Sequence, residues 1–364
     1  MAFLITKNLS IFNSKMKKII AYLFLILFLI IYGIGSSKTI MGKLKNSVFT
    51  RKSGDLYYFS YLKAYKNFRD VATILVQPLP QVSEKKVNLY ALHDSYVGDM
   101  PDSMLRGVNQ YKHKWFSSKS EKLISILDSS KTNVLLVEMV ERNLRGFTAT
   151  SIVDHIEIQQ LEQNNKVQPL LEDKQTIKIN DTKLKNLFFY PFLNQNLEYI
   201  LFENAIGSYF KEIKAELTYK LFNRTDKDVR ISADKKYLYY AQTVDTVNTT
   251  SSFCPLRQGE LDKLVHELNT TYHSYKSQGF DEVYFVFPPN PVSILQTEPQ
   301  SYNQLLPTLE NHPHLKAKMI PLYAIFRQSP LELYLHSDSH WNKNGKQLFV
   351  NELNKKLIDL LPVH

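Results

Sequence analysis

The sequence predicts an α/β protein with a mostly parallel sheet, tethered by an apolar N-terminal helix. Three observations lead there. Short apolar runs end abruptly in polar residues, as where VNLYAL (Val87–Leu92) meets HDSY and NVLLVEMV (Asn133–Val140) meets Glu141-Arg142. Segments with helical spacing alternate with these runs, the rhythm of strand–helix–strand units. Ahead of both stands IIAYLFLILFLIIYGIG, uncharged from Ile19 to Gly35.

That apolar stretch is short for a spanning helix and long for the core of a signal peptide. Lys15, Lys17 and Lys18 precede it, and Lys38, Lys43 and Lys45 follow. GIGSS after it resembles a cleavage site, which leaves cleavage as the alternative to an uncleaved anchor. The expected organisation is a cytoplasmic tail over 1–18, an anchor over 19–35 and a membrane-proximal linker region over 36–84. A large domain over 85–364 follows, carrying a helical insertion at about 150–230.

The linker region holds one aromatic stretch, LYYFSYLKAY (Leu56–Tyr65). After the first strand, helical spacing is expected over Met104–Phe116 and Glu121–Leu127, then the second strand at NVLLVEMV. In the insertion, Leu193, Leu197, Leu201, Ala205, Tyr209, Ile213, Leu217 and Leu221 recur every four residues. This predicts one long helix whose apolar face either covers a core or meets a membrane or partner. KYLYYA (Lys236–Ala241) resumes the α/β rhythm. A helix from Glu260 to about Ser277 follows, stopped by Gly279, and then the strand EVYFVF (Glu282–Phe287) ending in Pro288-Pro289-Asn290. MIPLYAIF (Met319–Phe326), a last strand-like LELYLH (Leu331–His336) and a helix from about Asn344 close the chain.

Net charge is +10, from scattered lysines rather than from a run or a basic helix with interleaved aromatics. That pattern argues against nucleic acid and suits an anionic membrane or acidic polymer. The single cysteine, Cys254, makes neither an intramolecular disulfide nor a metal cluster, and no activating group surrounds it. No metal or cofactor is implied.

Ligands of a parallel sheet gather beyond the carboxyl ends of its strands. Polar residues end strands here at Asp94-Ser95, Glu141-Arg142, Asn290 and Asp338/His340. Serine becomes a nucleophile when a base takes its proton, histidine does so near neutral pH, and a carboxylate fixes the imidazole tautomer. Ser95, His340 and Asp338 are therefore the candidate catalytic residues. A helix expected after Ser95 would place its N–H to help bind an oxyanion. Singly, each motif has a bland reading: a helix cap, a solvated loop, a surface pair, a turn. A competing serine site, GSSK at 35–38, has no strand before it.

HDSY at 93–96 resembles the nucleophile block of SGNH-type hydrolases. VEMVER (137–142), DSHWNKNG (338–345), Pro289-Asn290 and DKKYLYY (234–240) resemble motifs of the SGNH-like O-acetyltransferases of the AlgX/AlgJ and DHHW type. The specific part is DSHW followed by N-x-x-G. The resemblance covers most of the chain after residue 86, apart from about 145–230. Here the serine block precedes the Asp-x-His block, as in ordinary SGNH hydrolases and in the membrane-anchored D-alanyl transfer protein of teichoic acid synthesis. His93 stands where the family usually has glycine.

The resemblance implies an SGNH-like three-layer α/β/α domain at the periplasmic face of a cell inner membrane, anchored by a single pass. It implies an O-acyltransferase, with acetyl as the group moved, acting on a cell-surface polysaccharide. Ser95 carries the acyl group, His340 serves as base then acid, and Asp338 orients it. Arg142, Asn290 and Trp341 are the candidate substrate-binding residues, Trp341 alternatively packing beneath the motif. An integral membrane acyltransferase partner is implied as the acyl supplier. A carbohydrate esterase uses the same residues with water as acceptor. A non-catalytic polysaccharide-binding or scaffold subunit is the third reading, kept open by His93.

Overall fold

The computed structural model describes residues 2–47, 53–66, 74–98, 100–116, 122–153, 155–160, 192–202 and 205–361. Two compact units emerge, Met1–Lys52 with Val167–Phe222 and Ser53–Lys166 with Asn223–His364.

The second unit is the α/β body. Its strands are β1 (Val87–His93), β2 (Val108–Trp115), β3 (Leu123–Leu127), β4 (Thr132–Glu138), β5 (Ile156–Gln160), β6 (Val229–Ile231), β7 (Leu238–Tyr240), β8 (Glu282–Val286) and β9 (Lys318–Ile320). The central sheet runs β2-β1-β4-β8-β9 with every neighbouring pair parallel. From β1 the chain turns to one side and then crosses to the other. The switch point between β1 and β4 is where this doubly wound order places ligands.

All seven residues of β1 are buried, as a strand covered on both faces requires. Val87, Leu89 and Ala91 join the core under the Lys343–Ile358 helix, which contributes Phe349, Val350, Leu353 and Leu357. Tyr90 and Leu92 join the opposite core under the Glu260–Ser277 helix, with Leu264, Val265, Leu268 and Tyr275. Each of the buried valines and leucines stabilises the layers by about 1.5–3 kcal/mol.

The chain departs from its helical spacing in two places. Over Met104–Phe116 a helix is expected, but the edge strand β2 forms, pairing Val87 with Val108 and His93 with Trp115. The exposed edge of β1 needs backbone partners, and Val108 and Tyr111 suit a strand. Leu123–Leu127, also expected as helix, is β3, paired in parallel with β5. LELYLH forms no strand, only an isolated bridge from Tyr334 to Trp341. KYLYYA supplies β7, antiparallel to β6 and outside the main sheet. Residues 53–66, expected within a linker, belong to the body and include a short helix, Asp55–Ser60.

The first unit contains one continuous helix, Ala2–Ser36, of which Met16–Ser36 is long and apolar enough to cross a membrane. Its 21 residues span about 31 Å, close to a hydrocarbon core. Of the long helix expected over 193–221, Leu193–Phe202 and Ala205–Phe222 are helical, with 203–204 outside the described residues. Asn196 donates Nδ2–H to the Gly35 carbonyl at 2.7 Å, and Leu197 and Leu193 crowd Gly35.

Candidate active site

The chain leaves β1 at His93 and turns sharply through residues 95–98 rather than entering a helix. Two carboxylates shape that turn. Glu138, at the end of β4, accepts the Asp94 N–H at 2.8 Å, and Asp94 accepts the Ser95 N–H at 2.8 Å. Asn143 donates to the other Asp94 oxygen at 2.8 Å. The Ser95 amide, expected as an oxyanion donor, is thus already bonded to a carboxylate. With no helix behind it, that amide lacks the dipole the expectation relied on.

Ser95 and the Asp-x-His loop lie 245 residues apart in the chain and meet at this edge. His340 Nε2 is 2.6 Å from Ser95 Oγ, and His340 Nδ1 is 2.5 Å from Asp338 Oδ1. The Asp338 carboxylate also accepts the His340 N–H at 3.1 Å and the Asp55 N–H at 3.0 Å. Burial pushes the Asp338 carboxyl up. The bond and charge of His340 and the backbone N–H groups of Asp55 and His340 outweigh it, leaving the carboxyl below its ordinary range. Asp338 stays an anion beside the imidazole, the state that holds the Nδ1–H tautomer and leaves Nε2 to accept the serine proton.

Local sequence explains how the loop is held. Asn342 caps the Lys343–Ile358 helix, accepting from the N–H groups of Asn344 at 2.8 Å and Gly345 at 3.2 Å. A Cβ on Gly345 would lie 2.5 Å from the Leu333 carbonyl oxygen, so the N-x-x-G spacing encodes a cap and a close approach. Tyr96 donates its phenol to the Ser339 carbonyl, and its ring lies 4.7 Å from His340 and 4.9 Å edge-on to Trp341. From the other side, Gly54 N–H reaches Ser337 Oγ at 3.1 Å, and Leu56 and Tyr57 donate to the Ser337 carbonyl at 3.0 and 3.2 Å.

The remaining candidates divide. Arg142 lies over the Tyr240 ring at 5.6 Å; burial pushes both the Tyr96 phenol and the Glu138 carboxyl up, and the Arg142 charge offsets only part of that rise. Its Nη1 has no hydrogen-bond partner among the described residues. Asn290 is fully buried in an interior network. Its N–H reaches Glu141 Oε2 at 2.7 Å and its Nδ2 reaches Ser252 Oγ at 3.0 Å, while Ser293 Oγ bonds the same carboxylate. Trp341, 6% exposed, stacks on Phe349 at 5.2 Å with Tyr96 against it, so it packs beneath the motif.

Glu138, Asn143 and Asp55, to which the motifs assign no role, border the candidate site together with the strand-end residue Asp94. Burial, then the Asp94 charge, push Glu138 well above the usual carboxylate range, against the pull of the Asp94 N–H and Arg142. His93 is also fully buried, with Nδ1 2.5 Å from the Asp94 carbonyl and Nε2 2.9 Å from His113 Nδ1. Donation from Nδ1 to that carbonyl leaves Nε2 of the neutral ring to accept from His113.

Asp55, Asp338 and His340 offer ligand atoms within 4.8 Å of one another. A cation there would have to displace the hydrogen bonds that both His340 nitrogens and both Asp338 oxygens already make. Ser36 and Ser37 of the rival GSSK segment serve their own helices: Ser36 Oγ bonds the Tyr32 carbonyl and Ser37 Oγ accepts the Ile40 N–H. Cys254 is buried and unpaired with any cysteine. No protein-family model, curated protein or solved structure matches the chain.

Proposed function

We propose that this chain is a membrane-anchored serine O-acyltransferase whose body lies on the extracytoplasmic, periplasmic side of a cell inner membrane. On this reading it moves acetyl onto hydroxyls of a cell-surface polysaccharide. The observation that carries it is the hydrogen-bonded chain Ser95–His340–Asp338 beside the switch point of a parallel sheet. The sheet order and helices on both faces favour the SGNH-like, three-layer form of the fold. Acetyl as the group, polysaccharide as acceptor and an integral membrane acyltransferase as supplier come from the motif resemblance.

The chemistry runs in two halves. Ser95 Oγ attacks the acyl carbonyl while His340 Nε2 takes the hydroxyl proton; the donor's leaving group departs with that proton, leaving an ester on Ser95. An acceptor hydroxyl then gives its proton to His340 and attacks the ester, and His340 returns a proton to Ser95 Oγ. Asp338 stabilises the imidazolium in both halves. Arg142, whose buried Nη1 has no hydrogen-bond partner among the described residues, is the candidate to offset developing negative charge or an anionic part of the acceptor.

A carbohydrate esterase is the second reading, favoured by the 24% exposure of the His340 side chain, which lets water approach. The test is incubation of the full chain in detergent with a small activated acetyl ester. Wild type should release the alcohol and acquire acetyl on Ser95. Ser95→Ala and His340→Ala should each lose activity by on the order of a thousandfold or more, because triad members act as a unit. Added polysaccharide should divert acetyl from water to sugar; undiverted hydrolysis would assign the esterase. A wild type that neither turns over nor labels, yet binds polymer, would overturn both in favour of a scaffold.

A further inference from the structure

The Ala205–Phe222 helix is built inside out. Its exposed side carries Tyr209, Phe210, Ile213, Leu217 and Leu221, which are 58%, 65%, 39%, 54% and 69% exposed. At 3.6 residues per turn these five fall in one arc of about 120°. The opposite arc holds Ser208, Glu212, Ala215 and Tyr219; Glu212 is 4% exposed and the others are partly buried. The Glu260–Ser277 helix of the body shows the ordinary arrangement, with Leu264, Val265 and Leu268 inside and Asp262 and Lys263 outside. A helix that turns Glu212 inward and Tyr209, Phe210 and its leucines outward leaves apolar surface wet, which is unfavourable in water.

We propose that this outward face lies in the headgroup–acyl boundary of the bilayer that the apolar N-terminal helix crosses; the inference rests on the membrane-anchor reading. Continuity within the unit points to lipid as the occupant. The preceding helix, Leu193–Phe202, packs on Gly35 in the last turn of the Met16–Ser36 span. The segment is therefore fastened at the level where a spanning helix leaves the hydrocarbon.

Composition fits the same depth. Tyr and Phe favour the interface; exposed Lys214 borders the apolar arc, while Lys220 falls within it between Tyr209 and Ile213, ion-paired to Glu216 at 3.3 Å. An apolar face bordered by lysine belongs to helices that lie along a membrane, immersed by about 5–10 Å. On this proposal the helix lies flat in the interface beside the span, where it resists the span's tilt and rotation.

Depth-dependent fluorescence quenching tests this on the full chain in phospholipid vesicles. Leu27→Cys, Leu217→Cys and Lys263→Cys are each labelled with an environment-sensitive dye in a Cys254→Ala background. A brominated-acyl lipid should quench Leu27→Cys and Leu217→Cys several times more than Lys263→Cys, and aqueous iodide should show the reverse order. The proposal is overturned if Leu27→Cys is lipid-quenched while Leu217→Cys is quenched by iodide. A label at Leu217→Cys shielded from both quenchers also overturns it and assigns the face to protein. Failure of lipid to quench Leu27→Cys would remove the anchor reading, and this proposal with it.

Discussion

Replacing Gly54 by alanine tests whether backbone far from the Asp-x-His loop in sequence sets the triad's geometry. The Gly54 dihedrals, φ −69° and ψ 162°, are ordinary, so alanine meets no conformational penalty of its own. The obstacle is contact: an added Cβ would sit 2.1 Å from the Ser337 carbonyl oxygen and 2.7 Å from Asp338 Cβ. The two backbones must separate by about 1.3 Å before that oxygen reaches the 3.4 Å of an ordinary contact. That movement breaks the bonds from Gly54, Leu56 and Tyr57 to Ser337 and from Asp55 N–H to the Asp338 carboxylate, now 3.0 Å. A bond to a charged partner contributes about 1.5–3 kcal/mol and each neutral one about 0.5–1.5 kcal/mol. If the charged bond acts on catalytic geometry, turnover of the activated ester falls roughly ten- to a hundredfold. The melting temperature falls with it. Asp55→Asn keeps the backbone N–H and should stay within about threefold of wild type, under 1 kcal/mol. Wild-type turnover and melting temperature in Gly54→Ala, or a large loss confined to Asp55→Asn, would refute the reasoning.

Other expectations follow from the same contacts. Burial pushes the Glu141 carboxyl up from 4.5 to about 7, against the Asn290 N–H, Ser293 and Tyr302, so the folded state binds this proton more tightly than the unfolded one. The resulting stability, about 3 kcal/mol, is fully present below about pH 4.5 and lost as pH rises through about 7. Denaturant titrations across that window should show the decline, and Glu141→Gln should flatten it; an unchanged slope in the variant would discard the assignment. His93→Gly removes a fully buried ring that braces the Asp94 carbonyl. It should lower both melting temperature and ester turnover, whereas a gain in turnover would mark His93 as an obstruction to the site. Gly345→Ala drives a Cβ to 2.7 Å from Trp341 Cβ. It should shift the His340 imidazole resonances in NMR, and unshifted resonances would show that the loop does not depend on this approach.

The parts of the fold legible in the sequence are those whose signal is local. The Glu260–Ser277 helix, β8 and the closing Lys343–Ile358 helix carry uninterrupted apolar periodicity against a finished core, and they lie where that periodicity puts them. β2 and β3 do not, because parallel pairing is decided by a distant strand. Met104, Val108, Tyr111 and Trp115 satisfy helical spacing, yet the open edge of β1 recruits the last three into a strand. Residues 53–66 read as linker because their bonds to the Ser337–Asp338 loop come from backbone N–H groups, which any residue supplies. The aromatic run LYYFSYLKAY is what marks them, through buried Leu56, Tyr57, Tyr61, Leu62 and Tyr65.

The candidate site divides along the same line. Ser95, Asp338 and His340 show themselves because side-chain chemistry at strand ends needs particular residue types, and their bonds of 2.6 and 2.5 Å link what the sequence separates. Asn290 and Trp341 share the motifs but face inward, since a strand-end polar residue equally serves to satisfy buried groups such as Glu141. The supports are the least legible: Glu138 is one carboxylate among many in the sequence, and only its complete burial against the Asp94 N–H gives it a task. Glycine is where a backbone contact does leave a mark. Gly54 and Gly345 have no room for a Cβ, and both stand against the loop that carries Asp338 and His340. The sequence therefore declares the candidate groups by type and their scaffold by the places where a side chain cannot be.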